Sequence, residues 1–132
     1  MSADVLTPAF EFALEVYQAV DSMDERLLLP YLTEDCAFVF GNREPLIGHA
    51  SIAEGLRQFS VAIAGLHHRL LDVWQFDDVI VSRIEVTYVR HDKSRVAVPA
   101  ATIWRLRDRK IFDNRIYIDN TPVFEGGGGR PY

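Results

Sequence analysis

The chain has 132 residues, 48% hydrophobic and 25% charged, values that suit one globular core and speak against disordered or fibrous classes. Its 19 acidic and 14 basic residues give a net charge of −5, which leaves no electrostatic footprint for nucleic acid. Cys36 is the only cysteine, so an intramolecular disulfide or a cysteine-based zinc site lacks its partners, and no apolar run nears the ~20 residues of a membrane span.

The first residues carry acid early and no basic stretch, so no signal peptide is expected, and the cytoplasm is the expected location. Thr7-Pro8 reads as a helix start, a capping hydroxyl followed by proline at the first helical position. Phe10, Ala13, Leu14, Tyr17 and Val20 or Asp21 then recur at helical spacing as an inward stripe. Asp24 can cap a short second helix that ends near Pro30. CAFVF reads as a buried strand and GNREP as a turn. Ser51 is the expected cap of a third helix, with Glu54 at the capping-box position and Ile52, Leu56, Phe59 and Ile63 facing inward.

After Gly65 the texture changes. Four long segments rich in Val, Ile, Tyr, Trp and Thr follow, separated by the short polar turns FDD, HDKS and RDR. Such connections predict antiparallel hairpins in a meander, with the basic run Arg105, Arg107, Arg109 and Lys110 at a solvated tip. Pro99 has no N–H to give a ladder, so a bulge or an edge position is expected there. Apolar residues fall on both parities of these strands, as in Val79 and Val81 against Ile80 and Ile84. That predicts a sheet covered on both faces, by helices on one side and a second subunit on the other. Residues 1–124 are expected to form one domain, and the glycine-rich 125–132 a flexible tail.

Helix, short helix, strand, helix and four-strand meander is the order of the nuclear transport factor 2-like superfamily, over roughly residues 6 to 124. LLLPYLTEDCAFVF resembles that superfamily's approach to its first strand, and PLIGHASIAEGLRQF its next helix. KIFDNRIYID is similar to the SnoaL-like polyketide cyclase branch, whose strand of this form ends in an acid. The resemblance implies an α+β fold: a cone-shaped, strongly curved, mostly antiparallel sheet closed by three N-terminal helices. It also implies a pocket between sheet and helices, and often a homodimer. Its members include ketosteroid isomerase, scytalone dehydratase, limonene epoxide hydrolase, SnoaL-type cyclases and non-catalytic binders, so fold alone does not settle function.

By that resemblance Asp119 falls where the cyclases keep their proton-transferring acid, although IDNTP equally suits an aspartate capping a turn. His67 and His68 open the first long strand, where neighbours face opposite sides, so one of the two can point inward as an acid–base group. His49 and His91 sit at a helix start and a hairpin tip, where solvated roles are expected. Tyr17 on the inward stripe, with Trp104, Tyr88, Phe40 and Phe59, makes up the expected substrate-binding wall, against a competing reading of plain core packing. Arg115, Asp113 and Tyr117 share a strand face with Asp119. Phe40 and Thr102 fall where ketosteroid isomerase carries its base and its oxyanion-stabilising acid, so steroid isomerisation of that kind is not expected.

Two functions follow. One is a cofactor-free acid–base cyclase, isomerase or dehydratase acting on a polyketide- or terpenoid-like substrate. The other is a non-catalytic ligand-binding or dimerisation module of the same fold. Either way the expected partners are a small apolar organic ligand and a second copy of the chain, with no metal, nucleic acid or membrane.

Overall fold

The computed structural model describes residues 7–124, so the glycine-rich segment 125–132 lies outside the described residues. Helix α1 (Pro8–Asp21) starts as its sequence directs: the Thr7 side chain accepts a hydrogen bond from the Phe10 N–H at 3.1 Å. Its buried stripe is Ala9, Ala13, Val16, Tyr17 and Ala19, turned slightly from the expected one, with Phe10 and Leu14 only half-buried. Alanine's small side chain lets the helix backbone approach the sheet closely, which size-blind hydrophobic ranking overlooks.

Asp24 caps α2 (Glu25–Leu28) by accepting from the Arg26 N–H at 3.0 Å, and a 3-10 turn over Leu29–Tyr31 takes up Pro30. Strand β1 (Leu32–Phe40) begins several residues before the expected CAFVF. The two-residue β2 (Leu46–Ile47) leads straight into α3 (Gly48–Ala62). Here the expected Ser51 cap is not used. The helix starts at Gly48, whose φ of +87° suits glycine, and Glu54 bonds Arg57 and Gln58 instead. One long helix, rather than three, therefore precedes the sheet. α2 is a single turn, and α3 comes after the first strands.

The meander forms as expected: β3 (Gly65–Phe76), β4 (Val79–Val89), β5 (Arg95–Arg107) and β6 (Lys110–Ile118), then the short α4 (Thr121–Phe124). Asp108 and Arg109 both have positive φ at the β5–β6 tip, the requirement of a tight type I′ hairpin. The six strands lie in the order β2-β1-β6-β5-β4-β3, in a curved, unclosed sheet. All neighbours run antiparallel except β1 and β6. Register shifts at Leu70/Asp72 and Arg105/Leu106 mark bulges, which bend and twist the strands that carry them. Pro99 sits at an edge as expected: β6 pairs with β5 only from Ala100 onward, so Pro99 has β4 on one side alone.

On β4 the residues Ile80, Ser82, Ile84, Val86 and Tyr88 are buried, while the alternate set is half-buried or exposed. The buried set faces α1 and α3 and holds the core. No helix among the described residues is long and apolar enough to cross a membrane.

Candidate functional site

Tyr17 and Asp21 are four residues apart on α1 and so lie on one face, which packs against β3. On β3 the pleat sends Leu66, His68 and Leu70 one way and His67 and Arg69 the other. Asp21 therefore meets the start of β3 at close range. His68 Nδ1 lies 2.6 Å from Asp21 Oδ1, and the His68 backbone N–H donates to Oδ2 at 3.0 Å. An ionised carboxylate can only accept, so in this pair Nδ1 carries the proton and Nε2 is the nitrogen left for other chemistry. The His68 side chain is 11% exposed, whereas His67 is 72% exposed and reaches Asp21 Oδ2 only at 3.4 Å.

Tyr17 stacks on the His68 ring, centroids 4.9 Å apart and planes 21° apart. Its hydroxyl turns away into a buried triangle, 2.7 Å from Ser82 Oγ and 2.8 Å from Thr102 Oγ1, with those two 2.6 Å from each other. Burial pushes the Tyr17 phenol up to about 12, outweighing the two hydrogen bonds that pull the other way. Burial likewise raises the Tyr88 phenol, so both rings stay neutral near pH 7.

These groups border a cavity of about 330 Å³ between the concave face of the sheet and the helices. Phe38, Phe40, Phe59, Tyr88, Trp104 and Phe124 give it aromatic walls; Tyr17, His68, Thr102 and Asn114 supply polar groups. Arg43, Glu44 and Gln58 are exposed at its edge. The last wall is held in place by Arg90, whose guanidinium donates to the Pro122 and Val123 carbonyls of α4 at 2.7 and 3.0 Å. Among the described residues, no three His, Cys, Asp or Glu side chains are placed to hold a metal ion. Cys36 is buried, and desolvation raises its thiol to about 12, which makes it a poor nucleophile.

The structure thus brings Tyr17, Trp104, Tyr88, Phe40, Phe59 and His68 to one cavity. His67 stands outside it. Asp119 also stands outside: it is exposed just past β6 and accepts from the Thr121 N–H at 3.0 Å and hydroxyl at 2.6 Å, the turn-capping role its sequence also suited. Arg115 pairs with Asp113 at 3.1 Å rather than with Asp119. His49 bonds the Leu32 carbonyl, and His91 the Val61 carbonyl. Sequence reasoning missed Asp21 as a partner for a histidine, Ser82 as a partner for Tyr17, and Asn114 altogether. For Asp21 a signal existed: an acid on an otherwise apolar inward stripe, one turn after a tyrosine. Ser82 and Asn114 had only their inward parity, which carries no chemistry.

A helix-closed, curved six-stranded sheet with a cavity on its concave face defines the class, a nuclear transport factor 2-like α+β fold. Within it the chain belongs to the SnoaL-like domain family, whose model matches residues 13–114. Similar solved structures include TerC co-crystallised with polyporic acid, 19% identical, with a TM-score of 0.78 over 90% of this chain and 97% of that one. A nuclear transport factor 2-like protein of unknown function from Burkholderia pseudomallei is 14% identical, with a TM-score of 0.79 over 89% and 95%. A ketosteroid isomerase-like fold from Catenulispora acidiphila, in complex with trimethylamine, is 18% identical, with a TM-score of 0.76 over 84% and 85%. At these identities the likeness is one of fold. No curated protein matches the chain in sequence.

Proposed function

We propose that this domain is a cofactor-independent acid–base catalyst of the cyclase, isomerase or dehydratase kind, acting on a small, largely apolar organic molecule. His68 is the proton-transfer group and Asp21 its orienting carboxylate; Tyr17, Trp104, Tyr88, Phe40 and Phe59 enclose the substrate. One observation carries this reading: the 2.6 Å contact between Asp21 and His68 Nδ1, with the histidine on the wall of an apolar cavity. A carboxylate on one imidazole nitrogen fixes ring and tautomer and stabilises the imidazolium formed when Nε2 takes a proton. Aromatic walls exclude water and keep that proton from bulk solvent. The exposed outer face of the sheet, with Trp74 and Tyr117, is where a second copy of the chain would dock.

The test is proton exchange. An enolisable bicyclic ketone such as 2-tetralone is incubated with the protein in D₂O, and loss of its α-proton signal is followed by NMR. The wild type is expected to accelerate exchange, His68→Gln to lose 10²–10⁴-fold of that acceleration, and Asp21→Asn to lose less. Asp119→Asn should leave the rate unchanged. Exchange no faster than in buffer, with the ketone nevertheless bound, would turn the reading to the non-catalytic binding module.

A further inference from the structure

Two tyrosines belong to the cavity wall, and their hydroxyls are used differently. Tyr17 engages Ser82 and Thr102. The Tyr88 hydroxyl has no hydrogen-bond partner among the described residues, although its residue is only 2% exposed. It is not sealed in, however. The fully enclosed side-chain polar atoms without a partner, among the described residues, are Trp104 Nε1, Asn114 Oδ1 and Asn120 Nδ2, and the Tyr88 oxygen is not one of them. That oxygen therefore keeps accessible surface, and the space that Tyr88 borders from the inner face of β4 is the cavity.

A phenol taken out of water and given no partner loses the hydrogen bonds that water supplied, so a free hydroxyl at this place calls for an explanation. Burial holds its ionisation well above the ordinary tyrosine value, so the proton is in place at neutral pH. A phenol donates better than it accepts, because its oxygen lone pair is shared with the ring. The unmet demand is therefore for an acceptor. The ring is fixed in direction: it meets Phe59 edge-to-face, centroids 5.9 Å apart, and lies across the β3–β4 ladder from Leu66, on the face that also carries His68. No neighbouring group competes for the same acceptor. His68 Nε2, with the proton held on Nδ1 by Asp21, can only accept, and Asn114 is two strands away on β6. An anionic acceptor finds no fixed cation here, since Arg43 is exposed at the cavity edge.

We propose that the Tyr88 hydroxyl is a binding subsite that donates a hydrogen bond to a neutral carbonyl oxygen, and that the ligand is a carbonyl compound on an apolar body of one or two rings. The size limit follows from the cavity volume of about 330 Å³, at the lower end of the range for small-molecule sites. This names the ligand class of the function proposed above and rests on its cavity, but not on the chemistry of His68.

A matched pair of probes tests it: 2-tetralone and tetralin, which share a ring skeleton and differ in the carbonyl. Binding of each is measured by calorimetry to the wild type and to Tyr88→Phe, which keeps the ring and removes the oxygen. The variant should bind 2-tetralone about 10-fold more weakly and tetralin within about twofold of the wild type, the loss of one hydrogen bond to the ligand. It should melt no lower than the wild type, since the hydroxyl it removes bonds nothing in the free protein. Isotope-edited infrared spectra give a second readout: the carbonyl stretch of bound 2-tetralone should lie lower in the wild type than in Tyr88→Phe. An equal change for both probes, or 2-tetralone bound as tightly by the variant as by the wild type, overturns the subsite and leaves the His68 reading to its own proton-exchange assay. If neither probe binds the wild type, the subsite and the cavity reading fall together.

Discussion

The two faces of the sheet are made of the same strands and solve opposite problems. On the outer face charges stand in pairs along the strands: Arg69 with Glu85, Arg83 with Asp72, Arg115 with Asp113. Trp74 and Tyr117 lie among them, 47% and 55% exposed. On the inner face the polar groups are neutral hydroxyls, an amide and an indole, and the Asp21 carboxylate bonds to the His68 imidazole of the cavity wall. Water screens the outer pairs, so each contributes little to stability. Within the concave face an unmatched group has no water to turn to. Chemistry is therefore concentrated where errors are most costly.

Neighbouring residues of β4 make the sharpest break in that comparison. Ile80→Ala should destabilise the fold by about 2–5 kcal/mol, since Ile80 is fully enclosed, while Val81→Ala on the opposite face should cost less than about 1 kcal/mol. Denaturant unfolding of the two variants measures the difference directly. Comparable losses would mean that the outer face is as well covered as the inner.

A smaller effect should appear in alkali. The unfolded chain loses the Tyr17 proton near pH 10, whereas the folded protein holds it to about 12. Between those values the native state binds more protons than the unfolded one, so stability falls as pH rises through 10 toward 12 and is untouched below. For Tyr17 alone the loss reaches about 2 kcal/mol by pH 12. Tyr17→Phe should flatten this alkaline decline without abolishing it, because burial raises Tyr88 as well. At neutral pH the same variant should cost only about 1 kcal/mol, with Ser82 and Thr102 still bonded to each other.

The smallest change in folding is expected from Trp74→Lys, within about 0.5 kcal/mol of the wild type. Its effect should lie in sedimentation instead: a species of two 15.0 kDa chains giving way to one. A wild type that sediments as a single chain at high micromolar concentration would remove the proposed second copy.

The elements were legible because their signals are local. Thr7-Pro8, Asp24 and the polar turns between β-rich runs each act within a few residues, and each lies where the sequence put it. Ser51 misled because a capping-box pattern reports only what a helix start can do. Gly48, with its positive φ, lets the chain begin the helix four residues earlier, with Ile47 rather than Ser51 at the cap position. The site was legible only in part. Parity said that one of the two strand-opening histidines turns inward, but not that it would find Asp21, 47 residues away in sequence. Asp119 sits at the end of a strand whose pattern matched, yet a Thr two residues on gives its carboxylate a nearer use. A strand pattern reports position along the chain and says nothing about which way the last side chain turns once the strand has ended.

The triangle of Tyr17, Ser82 and Thr102 has a consequence for protons. Three hydroxyls, each giving one hydrogen bond and receiving one, can be satisfied by a circulation in either sense. Neither sense moves a heavy atom. The buried network therefore keeps two arrangements where a salt bridge would have one, a configurational freedom of ~0.4 kcal/mol if the two are equal in energy. Reversing the circulation turns each O–H bond from one neighbour to the other and leaves every oxygen both giving and receiving a hydrogen bond. The triangle thus has two settings, separated by nothing more than the turning of three O–H bonds.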